Sequence, residues 1–301
     1  MPSPFVVPFL AALALASDRT GSLDGRTVVT PQAFASSSDG ALKLSAYSAP
    51  VKGAASPPPG ASTWKLEIDD TPSGYKQTID GFGAAVTDAT VAVFNKLPAS
   101  KLSELLNQLL TPAGANFAMT RHTIASSDLS ADPSYSYDDN NGKPDPSLSS
   151  FNLGDRGTAM ARLLARMKGI QSALTILGSP WSAPGWMKLN GVLQGTTDRN
   201  NLNPAYVSQF AQYFVNYIQA YQNLGAPIDA ITIQNEPLMS KNEMPTMYVF
   251  ADESGNLIQQ NIGPALRAAG LNTGVWAYDH NTGESEVPLS IRRIGNCQYK
   301  T

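Results

Sequence analysis

The chain has 301 residues, 42% of them hydrophobic and 15% charged, and its formal net charge is -3. So much apolar material excludes a disordered polymer and is enough for one large α/β domain or two ordinary ones, while a charged fraction below the usual quarter, slightly acidic on balance, excludes nucleic acid as a partner. One cysteine, Cys297, rules out an internal disulfide, and two histidines with no HxxxH or CxxC spacing call for neither a metal nor any other cofactor.

Residues 1–16, MPSPFVVPFLAALALA, form an apolar run closing on Ala14-Leu15-Ala16, the small-residue pattern at which a secretory signal peptide is cut. The run is too short to cross a bilayer and polar Ser17-Asp18-Arg19 follow at once, so a secreted, extracellular protein without stable membrane insertion is expected. Residues 17–77 are rich in Ser, Thr, Gly and Pro. Within them Leu42-Lys43-Leu44 and Trp64-Lys65-Leu66-Glu67-Ile68 alternate in the manner of strands, on either side of a Pro57-Pro58-Pro59-Gly60 turn. They predict a β-rich segment flanking a larger domain.

From residue 78 the pattern becomes short apolar strands alternating with helical periodicity, the mark of repeated βα units and a parallel sheet. The strand candidates are 82–86, 116–121, 174–177, 228–234 and 274–278. Between them lie helices whose buried faces are Leu102, Leu105, Leu106 and Leu109; then Met160, Leu163, Leu164 and Met167; then Val207, Phe210, Phe214, Val215 and Ile218. The third is expected to start at an Asn203 N-cap with Pro204 in the first helical position, and a fourth helix to cover 257–269 and end at Gly270. A long polar loop, 126–152, follows the second strand, on the side where parallel α/β enzymes place their sites.

The segment Asp80-Gly81-Phe82-Gly83-Ala84-Ala85-Val86-Thr87-Asp88 lacks the third glycine of a dinucleotide fingerprint and predicts close backbone approach with a polar strand end at Thr87-Asp88. In Ile231-Thr232-Ile233-Gln234-Asn235-Glu236-Pro237 a β-rich run delivers Asn235 and Glu236 at its end, where Pro237 stops the strand. On spacing alone, a solvated loop glutamate is an equal reading. In Gly178-Ser179-Pro180-Trp181-Ser182-Ala183-Pro184-Gly185-Trp186-Met187-Lys188 two tryptophans lie among small and turn residues, so at least one indole should be poorly packed unless a ligand covers it. Sugar rings suit such faces; two core-capping tryptophans are the plainer alternative. Arg121-His122 and Ser126-Ser127-Asp128 put charge at the end of the second strand, costly inside a barrel and useful at its rim, and His122 taken alone reads more readily as structural.

The segments GFGAAVTDA at 81–89, RHTIASSDLS at 121–130, LGSPWSAPGWMK at 177–188, TIQNEP at 232–237 and VWAYDHN at 275–281 together resemble glycoside hydrolase family 30, which includes glucosylceramidases and fungal endo-β-1,6-glucanases. The wording of TPAGANF, SPWSAPGWMKLNG and AYDHNT is most similar to the second branch. The resemblance implies an α/β fold of the (β/α)8 TIM-barrel type, here incomplete, with about five βα units over residues 78–282 and part of a flanking β-domain before it. It also implies a retaining β-glycosidase acting on a β-glucan or other β-glucoside, an endo-β-1,6-glucanase in preference to a glucosylceramidase. Glu236 would be the acid/base and Asn235 would bond the sugar 2-hydroxyl. Asp128 and Trp181 would line the glucose subsite, with Trp186 in the same loop and Asp279 and Arg121 as polar groups at strand ends. Retention needs two carboxylates about 5–5.5 Å apart. In the family the nucleophilic glutamate follows the seventh strand, so it is expected to be absent from this chain, with 283–301 a divergent tail and the chain inactive by itself. The alternative from another class is a secreted, non-catalytic sugar-binding fragment.

Overall fold

The computed structural model describes residues 22–23, 26–27, 33–47, 71–74, 76, 78–281 and 283. The expected signal segment, the 57–60 turn, the 64–68 stretch and the tail from 284 onward, Cys297 included, lie outside them. The chain divides into two compact units, Met1–Gln77 and Thr78–Thr301.

Among its described residues the first unit holds two short antiparallel pairs, β1 (Ser22–Leu23) with β2 (Arg26–Thr27), and β3 (Ala33–Ala35) with β4 (Ser45–Tyr47). The alternation at Leu42-Lys43-Leu44 does not make a strand. Leu44 sits at a φ of 52°, outside the extended region, and its N–H donates to Ser36 Oγ at 3.0 Å, so pairing begins one residue later.

The second unit is built on one parallel sheet whose strands lie in chain order: β5 (Gly83–Val86), β6 (Met119–Ile124), β7 (Thr175–Pro180), β8 (Ala230–Thr232) and β9 (Gly274–Trp276). Helices fill every crossover. They are α1 (Asp88–Phe94) and α2 (Ala99–Leu110), then α3 (Gly154–Ile170), then α4 (Val207–Asn223), and finally α5 (Ala251–Asn256) and α6 (Gly263–Ala268) joined by a π-helical turn, Leu257–Ile262. Sequential order with a helical return each time is the arrangement of a (β/α) barrel, here five strands without closure among the described residues.

Several boundaries differ from the sequence expectation for identifiable reasons. Strand β6 starts at Met119 instead of 116, because the preceding backbone is used to finish α2: Ala115 N–H donates to Gln108 O and Phe117 N–H to Leu109 O. Thr87 is no strand end but the N-cap of α1. Its hydroxyl accepts from Thr90 N while Thr90 Oγ1 accepts from Thr87 N, a reciprocal box with threonine in the place usually held by Glu or Gln. The helix expected over 257–269 begins earlier, at Ala251, and is widened in its middle, where Pro264 has no N–H to give the carbonyl four residues back. It ends as expected. Gly270, at a φ of 69°, donates to Arg267 O and Leu271 donates to Leu266 O, the two bonds of a Schellman cap. Asn203 caps the turn that leads into α4, accepting from Ala205 N.

One register row runs across the whole sheet: Val86, His122, Gly178, Ile231 and Val275. This row faces the helices, since strand residues alternate between faces and His122 meets α4 directly. Helix α4 buries Phe210, Tyr213, Phe214, Tyr217, Ile218 and Tyr221 along one side. His122 stacks on Tyr221 at 5.1 Å, its Nδ1–H donates to Thr123 O at 3.0 Å, and its Nε2 accepts from the Tyr217 hydroxyl at 2.6 Å. Tyr137, from the long loop after β6, joins the cluster through its hydroxyl bond to Tyr221 at 2.7 Å and by donating its N–H to Tyr213 Oη at 3.1 Å. Gly178 must be glycine, because a Cβ there would collide with the Tyr217 hydroxyl.

Burial in this aromatic layer pushes the His122 imidazole down from 6.5 to about 3. The folded protein therefore holds it neutral while the unfolded chain takes up a proton near 6.5, so its contribution to stability is full above 6.5 and is lost as the pH falls towards 3. Urea unfolding between pH 7 and 4 should show a loss approaching about 1.4 kcal/mol per pH unit from this group, flattened in His122→Asn; an unchanged slope in that variant would sink the assignment. Tyr217→Phe, which leaves Nε2 without its donor, is expected to cost about 1–3 kcal/mol at pH 7.

Candidate active site

The opposite face of the sheet carries polar groups. With His122, Gly178 and Ile231 facing the helices, the alternation turns Arg121, Ser179 and Thr232 inward, and the chain leaving β9 adds Asp279 above them. Their side chains converge. Asp279 Oδ2 accepts from Arg121 Nη2 at 2.8 Å, from Ser179 Oγ at 2.7 Å and from Thr232 Oγ1 at 2.9 Å. Arg121 Nη2 also donates to Asn235 Oδ1 at 2.7 Å, and its guanidinium lies 4.9 Å from the centre of the Trp181 ring. Such a charge is tolerable here because it has a carboxylate, an amide oxygen and an aromatic face as partners.

Glu236 sits at the edge of this group, half-buried, four residues beyond the last residue of β8. Its backbone has a φ of 42°, a left-handed conformation that costs a non-glycine residue about 1–3 kcal/mol. Two backbone bonds hold it there: its N–H donates to Asp279 O at 2.8 Å, and its carbonyl accepts from Met239 N at 2.8 Å. Just before it, Asn235 N–H donates to Pro180 O at 2.7 Å, and Gln234 Nε2 donates to Trp181 O at 2.6 Å. Strain held at the C-terminal end of a parallel strand is a pointer to function. With Asn235 Oδ1 taken by Arg121, the amide nitrogen beside the Glu236 carboxyl is the group left to donate to a ligand, and neither has a side-chain partner among the described residues.

The structure thus brings Arg121, Trp181, Asn235, Glu236 and Asp279 together. It does not bring in the other two candidates. Asp128 stands exposed on the loop after β6, with no hydrogen bond to the cluster among the described residues. Trp186 is buried in the hydrophobic core, donating its indole N–H to Asp138 O at 2.9 Å and meeting Tyr206 edge-on at 5.0 Å. The expectation that one indole would be poorly packed is corrected: Trp181 and Trp186 are 6% and 5% exposed. Ser179 and Thr232 were not singled out in the sequence. The signal for them was available as hydroxyl residues on the inward register of buried strands, where an unpaired hydroxyl is costly and a partner must exist. Asp88 has a supporting part: it pairs with Arg156 of α3 and accepts from Ser130 Oγ at 2.8 Å, which ties down both ends of the loop.

Residues 79–285 match the Glycosyl hydrolase family 30 TIM-barrel domain. An endo-1,6-beta-D-glucanase of Neurospora crassa is 69% identical over 263 residues, covering 87% of this chain and 55% of the relative. A putative glucosylceramidase of Caenorhabditis elegans is 32% identical over 215 residues, 69% of this chain and 41% of the relative. Among solved structures, that of an endo-beta1,6-glucanase superposes with a TM-score of 0.64 at 29% identity, covering 74% of this chain and 50% of that one. The chain spans about half the length of the relatives it matches.

The Arg121 and Asp279 side chains are about a quarter exposed, 25% and 23%, so their pairing is screened but not lost to solvent. A double-mutant cycle of Arg121→Met and Asp279→Asn, followed by urea unfolding, is expected to give a coupling of about 0.5–3 kcal/mol. Simple additivity would show that the two charges sit together without supporting each other.

Proposed function

The chain belongs to glycosyl hydrolase family 30, and from that premise we propose that it serves a retaining β-glycosidase acting on β-1,6-glucan, with Glu236 as acid/base. The observation that carries the chemistry is the Asn235-Glu236 pair, held at the end of β8 by a strained backbone, with the Asn235 amide nitrogen turned to a ligand by the Arg121 bond. The linkage follows the similarity, 69% to a protein named for 1,6-glucan cleavage against 32% to one named a putative glucosylceramidase.

In this mechanism the Glu236 carboxylic acid gives its proton to the glycosidic oxygen as the bond to the anomeric carbon breaks, and a second carboxylate takes that carbon. Glu236, now ionised, accepts a proton from water as the water attacks the glycosyl intermediate, which restores both carboxyls and keeps the configuration. Asn235 Nδ2 donates to the hydroxyl next to the anomeric carbon. The part given to Asp279 is a different one: its Oδ2 holds Arg121, Ser179 and Thr232. Arg121 and Asp279 act as positioning groups, Trp181 backs the guanidinium, and Trp186 supports the loop from the core. The leading apolar run, with its Ala14-Leu15-Ala16 end, favours an extracellular place of work, where such glucan is met.

The test is binding first, because it does not require the second carboxylate. The 301-residue chain is expected to bind a soluble β-1,6-glucan and to ignore glucosylceramide in mixed micelles, with affinity for the glucan falling about tenfold in Asn235→Ala, the loss of about 1.4 kcal/mol of hydrogen bonding. Any hydrolysis of the glucan must disappear in Glu236→Gln. Binding of glucosylceramide without the glucan, or full affinity in Asn235→Ala, would overturn the proposal.

A further inference from the structure

Beyond Glu236 the chain runs into a second built feature. The turn closed by Met239 N–H on Glu236 O leads to Ser240, and there a cavity of about 730 Å³ opens between the loop after β7 and the loop after β8. Its wall is made by Thr196, Thr197, Ser240, Asn242 and Tyr248, with Lys241 and Glu243 of opposite charge at its edge. Among the described residues, the side chains of Thr197 and Asn242 and the Tyr248 hydroxyl have no hydrogen-bond partner, so they offer unmatched donors and acceptors to whatever enters.

The two loops are fastened to each other from below. Lys188 is buried, and its ammonium gives its N–H bonds to Leu193 O at 2.9 Å, Gln194 O at 3.2 Å and Thr246 O at 2.8 Å, one loop on the first two and the other on the third. Asn200 Nδ2 donates to Ser240 Oγ at 2.9 Å, Ser240 Oγ donates to Thr196 O at 2.9 Å, and Gly195 N–H donates to Lys241 O at 3.0 Å. A side chain at Gly195 would strike Thr246 and Ser240. The cavity wall is therefore set before any ligand arrives, the condition under which few contacts give useful affinity.

We infer that this cavity receives the leaving-group end of a neutral sugar chain, next to the bond that Glu236 protonates. Three features select the ligand. Hydroxyl and amide groups with nearly balanced charge suit a polyhydroxy ligand, and they disfavour a phosphate, which needs net positive charge, or a lipid, which needs an apolar wall. The Tyr248 ring, which stacks on Phe250 at 5.7 Å, lines the wall and is the kind of apolar surface that sugar rings cover. The third feature is direction. Ser240 lies four residues from Glu236, at most about 14 Å along an extended chain, and an acid that protonates the departing oxygen has the departing sugar on its own side. The inference rests on the glycosidase reading, and it adds where the second sugar goes and which residues take it.

The experiment is an NMR titration of the full chain with a β-1,6-linked glucotetraose and, separately, with methyl β-glucoside, which is too short to reach the cavity. Tyr248→Ala is expected to weaken the tetraose about tenfold, and Asn242→Ala and Thr197→Val, which remove no bond within the fold, several-fold each; affinity for methyl β-glucoside should stay within twofold in all three. Unchanged tetraose affinity in these variants, alongside a loss in Asn235→Ala, would remove the cavity while leaving the glycosidase reading in place. Failure of the unaltered chain to bind the tetraose at all would overturn both.

Discussion

A guanidinium placed on the inward face of a parallel sheet is the constraint around which this structure is organised. Arg121 would be expensive there without partners, and its partners come from each of the next three strands or their ends: Ser179 and Trp181 from β7, Asn235 from β8, Asp279 from β9. Ion pairs of this partly buried kind add little net stability in themselves, and they act by making alternative arrangements worse. Each partner can reach Arg121 only if its strand keeps its present register. A slip of one residue would exchange Arg121 for His122 and put an imidazole among carboxylates and a cation against the tyrosines of α4.

That alternation also explains which parts of the fold were legible in the sequence. The helices α2, α3 and α4 show as apolar spacings because each has one long face on the sheet, and the observed elements contain every residue that predicted them. Strand existence was legible for the same reason, and strand ends were not, because they depend on competition for backbone groups that lies outside local pattern. The residues before Met119 have strand-like composition and are consumed in closing α2. The Leu42-Lys43-Leu44 alternation is broken by the backbone of Leu44 itself. Helix α1 was hidden by its unusual cap, two threonines in place of a threonine and an acid.

The candidate site was legible in part, and the division is physical. Asn235 and Glu236 show in the sequence as polar groups that end an apolar run, a pattern that a solvated loop glutamate fits equally well, and Asp279 was legible only through the family resemblance. The tryptophans are different, because an indole has both a large apolar body and a donor, and only burial decides which matters. Trp181 has Arg121 over its ring and a place beside the site, whereas Trp186, five residues on, has its N–H satisfied by Asp138 O and belongs to the core. Nothing in the spacing of the two distinguishes them. Ser179 and Thr232 show the converse: small hydroxyls in buried strands read as filler until a shared carboxylate gives them a purpose.

Asp279 connects charge to geometry because it is used twice. Its carboxylate holds Arg121, Arg121 holds the Asn235 side chain, and the next peptide places Glu236, whose N–H returns to the carbonyl of Asp279. The four residues form a closed ring drawn from three strands, with side chains along one half and backbone along the other. An open chain of bonds would let the left-handed φ of Glu236 relax by shifting the loop after β8, and a strain of about 1–3 kcal/mol is enough to drive such a shift. In a ring the relaxation must break the Asp279 carbonyl bond or pull Asn235 from Arg121, each comparable to the strain it would relieve. The Glu236 backbone and the Asn235 side chain before it are thus held in one relative position by a charge, that of Arg121, which neither of them carries.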